Sequence, residues 1–329
     1  MRRIIFPGAA ALACLFLLFL ALGCGGAAQE PEQGREVLDT RGHAVHILKK
    51  PERILTLSIY TDEIALGLIT SDKLVAVSRF LDDPKESVVV EKARKIPEKV
   101  GDPTVEQIVA WHPDVVFATP WTSPDQVAAL EDLKIPVIVC GPSDSYEEVQ
   151  ANIRLMAAGL WEEERGEKLV AAMDEVEREI ASKIARIPEN ERKSVVLLSV
   201  MTNYGGAGSA FDDMCKHAGV TNASAAIGVQ NGESLAKELL VKSNPDLLLL
   251  PNYDDKGAFD TQKFIDGYLN DPALKSMKAI QNRALFYPRE GYIYNGSQDF
   301  VFGIQEVAFC AYGEAFCQED NRHLSFSGE

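Results

Sequence analysis

The chain has 329 residues, 46% hydrophobic and 25% charged, ordinary globular usage at a length that fits two domains better than one. Collagenous, disordered and disulfide-dense miniprotein classes are excluded. With 49 Asp+Glu against 33 Lys+Arg the formal charge is −16, and so acidic a surface repels phosphate backbones and excludes nucleic acid as a partner.

Arg2 and Arg3 precede an uncharged, largely apolar run over residues 4–23. A basic start before such a run marks a secretory signal peptide; a membrane-spanning helix is the competing reading, since about 20 apolar residues cross a bilayer. The run ends Leu20-Ala21-Leu22-Gly23-Cys24. That ending resembles a bacterial lipobox, with Ala21 where Leu is commoner. The resemblance implies removal of residues 1–23, lipid on Cys24 and anchoring in the cell envelope, on the extracytoplasmic side of the membrane. Residues 24–36 are polar and without periodicity, and read as a flexible tether. Four further cysteines, Cys140, Cys215, Cys310 and Cys317, form no CxxC pair, so neither a zinc ribbon nor a redox motif is indicated. Buried free thiols are expected, although the compartment permits disulfides.

Residues 37–39 and 44–47 flank Thr40-Arg41-Gly42 as a hairpin. Residues 53–57 form a short apolar strand, 58–62 a polar turn, and 63–68 the start of a helix. Strands follow at 74–77, 114–118 and 136–140, with helices at 105–111 and 125–133 between them. Strands that read as unbroken Val/Ile/Leu runs and alternate with helices indicate βαβ units and a mainly parallel sheet, covered on both faces. The alternation stops at Ser145. A helix over 146–158, broken at Gly159, precedes a long one over 162–186, where Leu169, Met173, Val176, Ile180 and Ile184 form one apolar stripe. After Pro188 the alternation resumes: strands at 194–200, 246–250 and 284–287, helices at 211–218, 234–243, 259–269, 272–279 and 300–316. The fold class is α/β, two lobes with mainly parallel sheets joined by one long backbone helix. The boundaries are signal peptide 1–23, tether 24–36, N-terminal lobe 37–144, linking helices 145–188 and C-terminal lobe 189–329.

Several segments resemble, in order, the substrate-binding proteins of ABC importers for ferric siderophores, haem and vitamin B12. They are Pro51-Glu52-Arg53-Ile54-Leu55-Thr56-Leu57-Ser58, Val75-Ala76-Val77-Ser78-Arg79, Gly101-Asp102-Pro103-Thr104-Val105-Glu106-Gln107-Ile108 and His112-Pro113-Asp114-Val115-Val116. An echo follows at Ser234-Leu235-Ala236-Lys237-Glu238-Leu239-Leu240 with Asn244-Pro245-Asp246-Leu247-Leu248. The resemblance covers nearly all of residues 37–312. It implies a monomer whose two rigid lobes grip a small-molecule metal chelate and hand it to a membrane permease dimer with its ATPase. It further implies that Glu106 and Glu238, at matching places in the two signature helices, dock on permease arginines.

In open α/β sheets ligands sit beyond the carboxyl ends of the strands, which nominates Tyr60, Arg79, Phe80, Trp121, Tyr204, Tyr253, Arg289, Tyr292 and Tyr294 as ligand-binding residues. Aromatic faces suit a large flat ligand, and Arg79 with Arg289 would offset an anionic chelate. A ferric siderophore is the first expectation and a corrinoid or haem the alternative, with no resident cofactor and no bare-metal site: His43, His46, His112, His217 and His323 all fall outside these loops. An enzyme fits poorly. The glycine-rich segment 203–209 lacks a phosphate-loop Lys, and no GxSxG or HExxH occurs. A purely structural lipoprotein would leave a bilobal cleft unexplained.

Overall fold

In the computed structural model of the chain, residues 34–201, 203–252, 260–319 and 321–329 are described; the signal peptide, Cys24 and Tyr253 lie outside them. The chain enters as an antiparallel hairpin, β1 (Arg35–Leu38) against β2 (Ala44–Ile47). Gly42 at its turn has φ 78°, a conformation that costs glycine nothing. β1 therefore starts two residues inside the segment expected to be tether. Arg35 does this by stacking over Trp161 and pairing with Glu163.

The N-terminal lobe is a parallel sheet of β3 (Ile54–Thr56), β4 (Leu74–Ser78), β5 (Lys99–Val100), β6 (Val115–Ala118) and β7 (Val137–Val139), in spatial order β5-β4-β3-β6-β7. Around it lie α1 (Ile59–Leu68), the single turn α2 (Val90–Ala93), α3 (Val105–Ala110) and α4 (Pro124–Asp132). Leu55, Val116 and Val137, on neighbouring strands, are all buried, as strands covered on both faces require. The helices α5 (Tyr146–Leu160) and α6 (Glu163–Ile184) follow. The second lobe holds β8 (Ser194–Leu197), α7 (Ala210–His217), β9 (Thr221–Asn222), α8 (Ala223–Ala226), α9 (Lys237–Ser243), β10 (Leu247–Leu249), α10 (Thr261–Leu269), α11 (Lys278–Gln281), β11 (Leu285–Phe286), α12 (Glu290–Ile293) and α13 (Phe300–Tyr312). Its four parallel strands run β11-β10-β8-β9.

The structure revises several boundaries. Ser58 and Thr61 form a reciprocal capping box, so the expected polar turn 58–62 is the first turn of α1 and Tyr60 is helical. Gly159 does not break α5. A Cβ there would lie 2.5 Å from Ile138 Cδ1, so glycine lets the helix press onto the sheet; the helix ends instead at Trp161, φ 60°. The C-terminal helix stops at Tyr312, and Gly313, φ 79°, turns the chain before a 3₁₀ turn at Glu314–Phe316. α6 keeps its stripe, with Leu169, Met173, Ile180 and Ile184 buried. At 22 residues it is about 33 Å long.

One hydrophobic core runs through both lobes. It takes in Ile64 and Leu66 of α1, Met156 of α5, Leu169 and Met173 of α6, Phe211 of α7, and Phe300 and Ile304 of α13. The final segment closes this seam. From the end of α13 it returns to the N-terminal lobe, where Phe326 N–H donates to Gly67 O at 2.8 Å and Ser325 Oγ to Leu66 O at 3.2 Å. Lys92 Nζ reaches Leu66 O, Ser325 Oγ and Ser327 Oγ.

Candidate functional site

In each sheet the chain steps from its first strand to one side and then returns to build on the other, so the strand order reverses between β3 and β6 and between β8 and β10. Such reversals open a crevice at the carboxyl ends of the strands. The described residues that leave those ends are 57–58 and 119–123 in the first lobe, and 198–201, 203–204 and 250–252 in the second. The lobes touch nearby: Lys85 Nζ donates to Asn252 O at 3.0 Å, and a Cβ on Gly296 would lie 2.3 Å from Ser143 Oγ.

Trp121, 63% exposed, stands in the β6 loop. Tyr60 meets it edge-on, centroids 5.7 Å apart at 68°. Tyr60 is itself buried, and its hydroxyl donates to Gly141 O at 3.0 Å. The expectation that Tyr60 lines the cleft is corrected by its helical place. It buttresses the indole and offers no open face. Arg79 is exposed and lies over the half-buried Phe80 ring at 5.0 Å; among the described residues it has no carboxylate partner. In the second lobe the half-buried Tyr204 and Tyr294 pack on each other, centroids 5.1 Å apart, and against the core. Tyr294 Oη donates to Ser199 Oγ at 2.8 Å, and burial pushes both phenols up. Met201, 49% exposed, stands on the same loop as Tyr204.

Arg289 and Tyr292 face elsewhere. Arg289 Nε and Nη2 lie 2.9 and 2.6 Å from Glu306 Oε2, and Nη1 donates to Gln318 O and Glu319 O. Tyr292 is 1% exposed; its hydroxyl donates to Arg322 O. The buried Glu306 carboxylate demands a counter-charge, so Arg289 serves the seam between α13 and the final segment, and the Arg79–Arg289 pairing is corrected. Glu106 and Glu238 are both exposed, each the second residue of its helix, α3 and α9. The Glu106 carboxyl is held down by its own backbone N–H and the Thr104 hydroxyl.

The sequence reading passed over a buried acidic pair at the interlobe seam. Asp62 accepts from Thr56 Oγ1 and from Ser78 N–H at 2.8 Å, and burial pushes its carboxyl up to about 8. Glu63 Oε2 accepts from Asn295 Nδ2 at 2.7 Å and Ser297 Oγ at 2.9 Å. Burial, then the nearby Asp299, holds its carboxyl well above the usual range. Asp299 in turn pairs with His323 at 2.6 Å. Adjacent acids at the start of a helix look like ordinary first-turn residues, so nothing local marks these two as buried. Among the described residues no three His, Cys, Asp or Glu side chains converge to hold a metal.

The profile of the periplasmic binding protein family matches residues 54–290. The chain belongs to that family. It is 26% identical over 324 residues to an uncharacterized ABC transporter substrate-binding lipoprotein, YvrC, of Bacillus subtilis, covering 92% of this chain and 96% of that one. Over 118 residues, 36% of this chain and 41% of the relative, it is 30% identical to a vitamin B12-binding protein of Vibrio parahaemolyticus. Its fold superimposes on the molybdate-bound MolA of Haemophilus influenzae with a TM-score of 0.69 at 20% identity, covering 84% of this chain and 91% of that one. The chain is therefore an extracytoplasmic substrate-binding protein of an ABC transporter, not an enzyme. Such proteins carry a small molecule to a permease and its ATPase.

Proposed function

We propose that this binding protein captures a large conjugated metal chelate between its lobes, a corrinoid or haem ahead of an anionic ferric siderophore. The observation that carries the reading is Trp121, an indole left 63% exposed at the β3–β6 reversal and braced by a buried tyrosine. Covering one such face removes on the order of 100 Å² from water, about 2–3 kcal/mol; in this reading the half-buried Tyr204 and Tyr294 of the second lobe offer the ligand at most their ring edges. With Arg289 committed to Glu306, Arg79 is the one of the two nominated arginines left to face an anionic ligand, which lowers the siderophore from first choice. The chelate passes to a permease that Glu106 and Glu238 engage, and lipid on Cys24 keeps the protein at the membrane.

The test is a titration read by tryptophan fluorescence against cyanocobalamin, haemin, ferric hydroxamates and molybdate. Trp121→Ala should weaken ring-ligand binding tenfold or more, since 1.4 kcal/mol is tenfold. Tight molybdate binding with no response to any chelate overturns the reading.

A further inference from the structure

We propose that the outer face of the β1–β2 hairpin rests on the anionic membrane surface, with Leu38 and Leu48 entering the headgroup layer; this rests on the reading that Cys24 carries lipid. Along the hairpin Val37, Val45 and Ile47 turn inward and are 6%, 8% and 2% exposed. The register sets Leu38 beside Ala44 and Glu36 beside His46 on the opposite face. A strand pair with one face on the core ordinarily turns polar residues outward. Here Leu38 is 66% exposed, and Leu48, just beyond β2, is 82% exposed. They are the two most exposed large hydrophobic side chains among the described residues, and both stand on this one small element.

Position and charge say what covers them. Ten residues separate Cys24 from Arg35, and even fully extended they span at most about 40 Å. The hairpin is thus the first described element after the anchor. In a chain of charge −16, residues 35–50 carry Arg35, Arg41, Lys49 and Lys50 against Glu36 and Asp39, with His43 and His46 exposed besides. Basic side chains next to an anchor are drawn to anionic lipid. All four are also paired, Arg35 with Glu163, Arg41 with Asp39 and Glu131, Lys49 with Asp114 and Lys50 with Glu162, and His46 lies against Glu36. These pairs temper the attraction, so the leucines carry much of the contact. A protein resting this way holds its lobes in one orientation to the bilayer.

The test uses the full lipidated protein in vesicles of phosphatidylglycerol and phosphatidylcholine, with no permease present. Leu48→Cys and, as a control at the far end of α6, the exposed Ser182→Cys are labelled with a polarity-sensitive dye in a Cys317→Ser background. The expected result is a blue-shifted dye at 48, quenched at least threefold more by lipid-borne quencher than at 182. Adding Leu38→Asp, or replacing the anionic lipid by phosphatidylcholine, should reduce that quenching. Mass spectrometry of the N-terminus is read first. If Cys24 is unmodified, the anchor reading fails and this proposal falls with it. If Cys24 carries lipid and the dye at 48 is as wet as at 182, the hairpin proposal alone is overturned.

Discussion

Arg289 forks onto Glu306, its Nε and Nη2 both within 3 Å of Oε2, and this pair belongs to the stability of the molecule rather than to its cleft. The Glu306 side chain is only 4% exposed. Removing one partner of a buried pair leaves an uncompensated charge, typically costing 3–5 kcal/mol; Arg289 is itself 29% exposed, which places the expected loss for Arg289→Ala at about 2–3 kcal/mol. Ligand affinity should not change. Arg79→Ala should do the reverse, leaving stability alone and weakening anionic ligands. Urea denaturation beside ligand titration separates the two residues.

Asp62 sets a pH dependence. Its folded carboxyl, at about 8, lies above the unfolded value of 3.8. The folded state therefore binds the proton more tightly, and the stability gained this way is complete below pH 4 and lost as pH rises towards 8. Asp62→Asn keeps an acceptor for Ser78 N–H and a donor for Thr56. It should flatten the loss, with a gain of about 3–5 kcal/mol over the parent at pH 9 and little difference at pH 4. Glu63, raised in the same direction, will keep part of the slope unless it too is changed to Gln. Denaturation midpoints at the two pH values check this.

The four described cysteines should differ sharply in reactivity. Cys140, Cys215 and Cys310 are buried free thiols, while Cys317 is exposed; burial pushes the Cys310 thiol up to about 12. The thiolate is the reactive species. In a form beginning at Gly34, one thiol should label promptly in the native state and three more only on unfolding, and Cys317→Ser should abolish the prompt reaction.

Glu106→Arg together with Glu238→Arg should abolish transport without altering ligand affinity. Both side chains are exposed on signature helices and make no part of the aromatic clusters around Trp121 and Tyr204, and like charges brought together at an interface cost several kcal/mol. Normal uptake by the double variant, measured in cells, would remove the docking role.

What could be read from sequence was whatever a local pattern determines. The strand at Val115–Ala118 is an unbroken apolar run, and α6 an unbroken stripe, so both are recovered within a few residues. Trp121 follows a strand and does stand open. Tyr60 was misplaced because Ser58 and Thr61 look like a turn until their reciprocal hydrogen bonds are seen. Tyr292 and Arg289 were misplaced because their partners, Arg322 and Glu306, lie 30 and 17 residues further on. The same holds for Glu63, whose partners Asn295 and Ser297 are more than 230 residues away. Buried polar pairs are chosen by tertiary proximity, and nothing in the immediate neighbourhood of a residue announces them.

The return of the chain to α1 bears on how the molecule is made. The carbonyls of Leu66 and Gly67 at the end of α1 accept from Ser325 and Phe326, so a helix near the start of the polypeptide is completed by residues synthesised some 260 positions later. Contacts of such sequence separation slow folding. An emerging chain can assemble the β3–β7 sheet but leaves α1 and the buried Glu63 without their partners until its far end arrives. Folding is thus expected to finish only after the whole polypeptide has crossed the membrane, as one event shared by both lobes, with α1 uncovered until then.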